Sequence, residues 1–202
     1  DQFENGFAHV VLGTDGYNGW MPSACLGTMP DVTHHVTVPH SFVIAEADVK
    51  SAGISHLSLG VRLHLYMRQD DDDKSPFVKI EFAGASGFVP RSHISPLSEV
   101  CDDWVVVAES LIGSPYRWGG RASTGLDCSA LVQLSMAAAG KAVPRDSGPQ
   151  HEIGQALDEA EPLQRGDLVF WTGHVGILQD SDRLLHANAH HMAVASEPLL
   201  VA

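Results

Sequence analysis

The chain is short of basic residues. Its 202 positions hold 12 Lys plus Arg against 25 Asp plus Glu, a formal net charge of −13. Such a surface repels phosphate backbones and anionic wall polymers, which argues against a nucleic-acid binder. Long apolar runs are missing as well, every candidate being interrupted by Asp, Gly or His before the ~18 residues of a membrane span. Cysteine is scarce: Cys25, Cys101 and Cys128 cannot all pair, and no CxxC or Cys/His cluster has zinc-like spacing. At least one thiol is therefore free. What is present, 44% hydrophobic and 18% charged residues, can fill a core and excludes wholesale disorder. The length allows one large domain, or a larger domain with one or two small modules.

One short pattern occurs twice. Gly19-Trp20-Met21-Pro22-Ser23-Ala24-Cys25-Leu26 and Gly87-Phe88-Val89-Pro90-Arg91-Ser92-His93-Ile94 both read Gly, aromatic, apolar, Pro, three residues, aliphatic. Each follows an alternating run, 7–12 or 77–82, and a turn-rich stretch, Thr14-Asp15-Gly16 or Gly84-Ala85-Ser86-Gly87. This predicts a hairpin and a strand ended by Pro. The second copy has room for a complete small barrel, residues 29–98, with a further strand over 59–67. The first, residues 1–28, is too short to bury a core of its own and reads as the C-terminal part of such a unit. The run Asp70-Asp71-Asp72-Asp73-Lys74 reads as a solvated loop tip.

After Pro96 the texture changes. Residues 102–112 place Trp104, Val105, Ala108, Leu111 and Ile112 at helical spacing. Residues 128–139 predict a second helix with Leu131, Leu134 and Ala138 on one face and Gly140 as its stop. Short β-like runs follow at 167–171, 174–179 and 183–187. Helices and then an antiparallel sheet make residues 99–202 an α+β domain.

Cys128 is the most informative residue. Gly125-Leu126-Asp127 is a turn, so the helix starts at the cysteine, where free N–H groups and the helix dipole favour a thiolate. Cys25 and Cys101 read as small buried hydrophobes. A cysteine nucleophile needs an imidazole, and a third group to fix that ring's tautomer. His174 begins one predicted strand; His186 and Asn188 lie in the next. An odd connecting loop sets His174 opposite Asn188 and brings His186 onto the same face, whereas an even loop breaks the arrangement. His186, His190 and His191 are spaced for a helix face in a segment that reads as strand, so no metal site is expected.

The blocks Pro115-Tyr116-Arg117-Trp118-Gly119-Gly120, Asp127-Cys128-Ser129-Ala130, Pro144-Arg145-Asp146-Ser147-Gly148-Pro149-Gln150, Gly166-Asp167-Leu168-Val169-Phe170-Trp171, His174-Val175-Gly176-Ile177 and Leu185-His186-Ala187 resemble the NlpC/P60 cysteine peptidases, in the family's order. The N-terminal units resemble bacterial SH3 (SH3b) domains. The resemblance implies a papain-like fold with Cys128 as nucleophile, His174 as base and His186 as orienter. By motif position it implies that Trp118, Asp127, Ser129, Asp146 and Ser147 line the substrate subsites. An aromatic of the first SH3b-like unit would close an amine pocket, with Tyr17 the candidate and Tyr66 the second choice. No cofactor is implied. An Asp suits a free α-ammonium, and Ser hydroxyls near a helix start suit an α-carboxylate. Asp127 beside the thiol is a poor neighbour unless it points into the amine pocket and pairs with a bound ammonium.

The expected reaction is hydrolysis of the γ-D-glutamyl-diamino acid bond in murein peptides with a free N-terminal L-Ala. The acidic surface favours small released peptides over the wall, hence recycling and a cytoplasmic location, or a periplasmic one if a signal peptide stands upstream. The alternatives are a hydrolase of intact cross-linked peptidoglycan and a peptide-binding SH3b module without catalysis.

Overall fold

The computed structural model describes residues 3–28, 31–65, 75–82, 85–158 and 160–201. Tyr66 and the acidic run at 70–74 lie outside the described residues. The first unit is a three-stranded antiparallel sheet of β1 (Phe3–Glu4), β2 (Phe7–Val11) and β3 (Asn18–Pro22). Asn5 and Gly6, both with positive φ, make the two-residue turn between β1 and β2. Ala8 is its only buried residue among those described, and Phe3, Phe7, Val11 and Trp20 stay exposed. Burial of its own apolar surface does not hold this unit together. Cys25, expected to be buried, is exposed.

Among the described residues the second unit has seven strands: β4 (His34–Val36), β5 (His40–Ile44), β6 (Gly53–Ser58), β7 (Arg62–Leu65), β8 (Phe77–Phe82), β9 (Ala85–Pro90) and β10 (Ile94–Pro96). They form one antiparallel sheet in the order β10-β4-β7-β8-β9-β5-β6. Val36, Val43, Leu57, Leu63, Leu65, Val78, Ile80 and Val89, drawn from six of these strands, share one core cluster. A flat sheet cannot gather them, so this one curls around its own interior. Two expectations change here. The strand foreseen over 59–67 is described only over Arg62–Leu65, and Gly87 lies inside β9 and not in a turn. A Cβ on Gly87 would stand 2.4 Å from Val43 Cγ1, so the missing side chain permits the approach of β5 to β9. The repeated pattern has one local structure in both copies: β3 and β9 each end at Pro and pass into a single 3-10 turn, Ser23–Cys25 and Arg91–His93.

In the C-terminal part, Asp103 caps α1 (Trp104–Ser110) by accepting from the Val105 amide at 2.9 Å. Leu111 is fully buried after the helix, but Ile112, placed on the same apolar face from sequence, is half exposed because the chain turns away. A short hairpin, β11 (Arg121–Ala122) and β12 (Gly125–Leu126), leads into α2 (Cys128–Ala138). Every residue from Cys128 to Ser135 is buried, so this helix is central and not one-sided. Gly140, at φ +72°, stops it. The short helix α3 (Ser147–Gln150) follows, then the antiparallel sheet of β13 (Leu168–Trp171), β14 (His174–Leu178), β15 (Arg183–Asn188) and β16 (Ala193–Pro198), in that order. The last strand was not expected. Helices and then an antiparallel sheet give the α+β class.

The units are joined at defined points, one apolar and the others polar. Leu59 of the second unit enters the core around α2. The Ser58 hydroxyl lies 2.8 Å from that of Ser123, which is 3.1 Å from His40 Nδ1. From the first unit, Asp15 Oδ2 accepts from Arg121 Nη1 at 3.0 Å and from Gln133 Nε2 at 2.9 Å. A cavity of about 490 Å³ remains among the three parts, with Asp15, Leu59 and Gln133 in its wall; Cys128, His174 and His186 are not.

Candidate active site

Cys128 is the first residue of α2 and is buried, 7% exposed. Burial pushes its thiol up, and the adjacent Asp127 charge pushes the same way; the backbone amides of Val175, Ser129 and Cys128 oppose them without prevailing. The expected dominance of the helix dipole is therefore corrected. Desolvation of a charge outweighs a few amide dipoles, so the site favours the thiol over the thiolate more than free cysteine does.

Five residues, an odd number, separate the last paired positions of β14 and β15, Leu178 and Leu184. The register Ile177↔Leu185 and Leu178↔Leu184 puts His174, His186 and Asn188 on one face. His174 Nε2 lies 2.9 Å from His186 Nδ1. Burial first, and the charge of His186 second, push the His174 pKa down, so its resting ring is neutral. His186 is buried, and its Nε2 lies 2.6 Å from Glu197 Oε1 on β16 and 2.7 Å from Asn188 Nδ2. Asn188 Oδ1 in turn accepts from the His191 amide at 2.7 Å. Glu197 Oε1 can only accept and Asn188 Nδ2 can only donate, so they compete for His186 Nε2; the shorter, charge-assisted contact with the carboxylate favours a proton on Nε2, which leaves Nδ1 to accept from His174 Nε2. His174 Nδ1 is then the free lone pair of the relay.

Asp127 differs from its expected setting. Its side chain accepts from Arg145 Nη1 (Oδ1, 2.9 Å), Arg145 Nη2 (Oδ2, 2.8 Å), the Ala130 amide (2.9 Å), the Gly119 amide (2.9 Å) and Ser129 Oγ (3.2 Å). It is buried with a bidentate guanidinium and has no need of a bound ammonium. Burial raises its carboxyl, but Arg145 and the amides outweigh this and hold it below its ordinary value. Ser129, which also accepts from Arg145 Nη1 at 2.9 Å, belongs to the same buried network. Two of the residues expected to line subsites thus hold the start of α2 in place.

The other candidates are open. Trp118 is 85% exposed, Asp146 is exposed and does not cap α3, and Ser147 opens that helix half-buried. Tyr17 is half exposed; its amide donates to Asp15 Oδ1 at 3.0 Å, and its phenol is near enough to Arg145 to act on that guanidinium's titration. Gly119, at φ +73°, turns the chain so that its amide reaches Asp127. At Gly120 a Cβ would meet the Gly125 carbonyl oxygen at 2.3 Å, so only glycine fits under the hairpin.

Sequence reasoning missed four residues here. Arg145 stood in a quoted block without a role. Asp15 was read only as a turn residue, although its side chain is 3% exposed. Trp171, whose ring centre is 5.7 Å from that of His174, was read only as the end of a strand. Glu197 sits in a run of alternating small residues whose period of two was the available signal. His186 and His191 were expected not to gather with a metal-like geometry, yet the turn after β15 returns His191 towards His186 and Glu197. His190 is no part of that group.

A thiol at a helix start beside a histidine pair on the adjoining sheet is the constellation of thiol-dependent acyl-transfer sites. Residues 113–198, which hold Cys128, His174 and His186, match the NlpC/P60 family. Over 187 residues the chain is 27% identical to a γ-D-glutamyl-L-lysine dipeptidyl-peptidase of Bacillus subtilis, covering 85% of this chain and 60% of that protein. It is 36% identical over 108 residues to the bifunctional muramidase/DL-endopeptidase CwlT of the same species, covering 48% of this chain and 32% of that one. The chain therefore spans less than two thirds of these relatives. The crystal structure of an NlpC/P60 family protein from Bacillus cereus has the same fold, at TM-score 0.81 and 22% identity over 98% of this chain and 72% of that one. No described helix is long and apolar enough to cross a membrane.

Proposed function

We propose that the protein is a cysteine peptidase that hydrolyses the γ-D-glutamyl-diamino acid bond of murein peptides with a free N-terminal L-Ala. The carrying observation is that Cys128 opens α2 with the Val175 amide of β14 acting on its sulfur, while the neighbouring residue His174 is paired with His186. As the substrate carbonyl approaches, His174 Nδ1 takes the Cys128 proton and the sulfur attacks the γ-carbonyl carbon. The C–S bond forms as the carbonyl π pair moves onto oxygen; collapse of that tetrahedral oxyanion restores the carbonyl and breaks the C–N bond as His174 gives its proton to the leaving amine. Water then hydrolyses the thioester with His174 again as base. His186 orients His174, and Glu197 fixes the tautomer of His186. The backbone amide at Cys128 offers one donor to the developing oxyanion.

Recognition falls to Tyr17, Trp118, Asp146 and Ser147. Because Asp127 and Ser129 are occupied by Arg145, we assign the substrate ammonium to the exposed Asp146, with Tyr17 as the wall of that pocket and Ser147 for the D-Glu α-carboxylate. The two N-terminal units are SH3b-like in this reading, at residues 1–28 and 29–98, with the catalytic domain at 99–202. The acidic surface favours free peptides, hence recycling in the cytoplasm. The names of the relatives, a γ-D-glutamyl-L-lysine dipeptidyl-peptidase among them, support the bond class.

The test incubates free L-Ala-γ-D-Glu-L-Lys, its N-acetylated analogue and intact sacculi with the protein and with Cys128→Ala. Cleavage of the free peptide, roughly ten- to a hundredfold faster than of the acetylated one, is expected from one charge-assisted contact. Asp146→Asn narrows that ratio. Equal rates on both peptides overturn the amine pocket, and solubilised sacculi with intact peptide identify a wall enzyme. Retention on sacculi without any cleavage identifies a binding module.

A further inference from the structure

We infer that His186, His191 and Glu197 form an inhibitory site for a divalent transition metal of the zinc type, built into the histidine relay. The inference rests on the proposed function only for its inhibitory consequence. Their ligand atoms all lie within 4.8 Å of one another, with Glu197 Oε1 2.6 Å from His186 Nε2 and Glu197 Oε2 3.9 Å from His191 Nε2. Two imidazoles and a carboxylate are a borderline donor set, suited to Zn²⁺ or Co²⁺. Tetrahedral zinc spaces such ligands by about 3.3 Å, so shifts of about 1.5 Å or less close the site. The open fourth position is left to water.

The surrounding groups hold the ligands as a metal requires. His191 Nδ1 lies 3.1 Å from Asn188 Oδ1, which only accepts; the ring proton therefore sits on Nδ1 and the Nε2 lone pair is free. His191 is partly exposed, which gives the ion a path in. Asn188 Nδ2, 2.7 Å from His186 Nε2, is the group the ion displaces.

Occupancy switches the relay off through proton positions. The ion takes the lone pair of His186 Nε2 and displaces the proton held there against Glu197. The proton on His174 Nε2 crosses to His186 Nδ1, and the displaced proton ends on His174 Nδ1. Both rings stay neutral, the proton count is unchanged, and the base now presents N–H where a lone pair is needed.

Titration with Co²⁺ tests the site without substrate. The wild-type protein is expected to bind one ion with a tetrahedral visible band and no sulfur charge-transfer band. Cys128→Ala should bind equally well, whereas His191→Ala, His191→Gln and Glu197→Gln should each bind at least tenfold more weakly. Zn²⁺ should slow iodoacetamide alkylation of Cys128 in the wild-type protein but not in His191→Ala, and metal-free His191→Ala should keep its alkylation rate and peptidase activity. Binding that disappears with Cys128, or that His191→Ala leaves unchanged, overturns the inference. Failure to cleave any murein peptide, with the cobalt results as expected, overturns the proposed substrate and leaves the metal site standing.

Discussion

The two sides of the candidate site are built on opposite principles. On the side assigned to chemistry, Cys128, His186, Asp127, Ser129 and Arg145 are all buried, and the last four have partners at hydrogen-bond distance. On the side assigned to recognition, Trp118, Tyr17 and Asp146 are exposed, on two loops and just before a short helix. The first side gains its order from packing and so leaves little room for substitution. The second is free to meet a ligand, and substitution there costs binding more than folding.

Four measurements break or sharpen this contrast. The largest effect is expected from Cys128→Ala on the buried side, where turnover falls by at least about 10⁴-fold while the melting temperature stays within a few degrees. A variant that retained activity would remove the nucleophile. Next comes Arg145→Met, which leaves the Asp127 carboxylate buried and unpaired. Urea unfolding should show a loss of roughly 3–5 kcal/mol, partly restored by adding Asp127→Asn. A neutral result would mean that water reaches this network and that the burial contrast is false.

On the exposed side, Tyr17→Ala should raise KM roughly tenfold and leave kcat within about twofold, with stability unchanged, because binding is removed without touching the reacting atoms. A collapse in kcat instead would place Tyr17 among the buried machinery. The smallest effect concerns acid. Asp127 titrates below its ordinary value when folded, so its stabilisation is complete above about pH 4 and is lost as the pH falls through the folded value. Wild-type stability should therefore fall more steeply below about pH 4 than that of Asp127→Asn. Parallel curves would show that the Arg145 pair contributes nothing.

Periodicity made α1, α2, β2, β8, β13, β14 and β15 legible, because each has a regular apolar pattern bounded by turn residues. The relay face was legible only as a condition on loop parity, which the five residues between Leu178 and Leu184 meet. What escaped has a weak periodic signature or none. Arg145 and Asp127 are 18 positions apart and meet because a loop folds back on α2. β16 carries Ala193, Ala195 and Ser196, too small to stand out as a strand, although its pairing with β15 brings Glu197 to His186. Gly87 read as a turn glycine because a close approach between strands leaves no local trace.

One carboxylate ties the first unit to the rest. Asp15 receives Tyr17 through one oxygen, and Arg121 and Gln133 through the other. Attachment of that arm and the placing of Tyr17 are thus a single event. Thermodynamic reciprocity follows: if seating the arm tightens a ligand held by Tyr17 by some factor, that ligand tightens the seating of the arm by the same factor. A bound peptide would then protect the β2–β3 amides from hydrogen exchange at a distance from its own contacts. The small sheet with no interior would acquire, from the ligand, the firmness its own side chains do not provide.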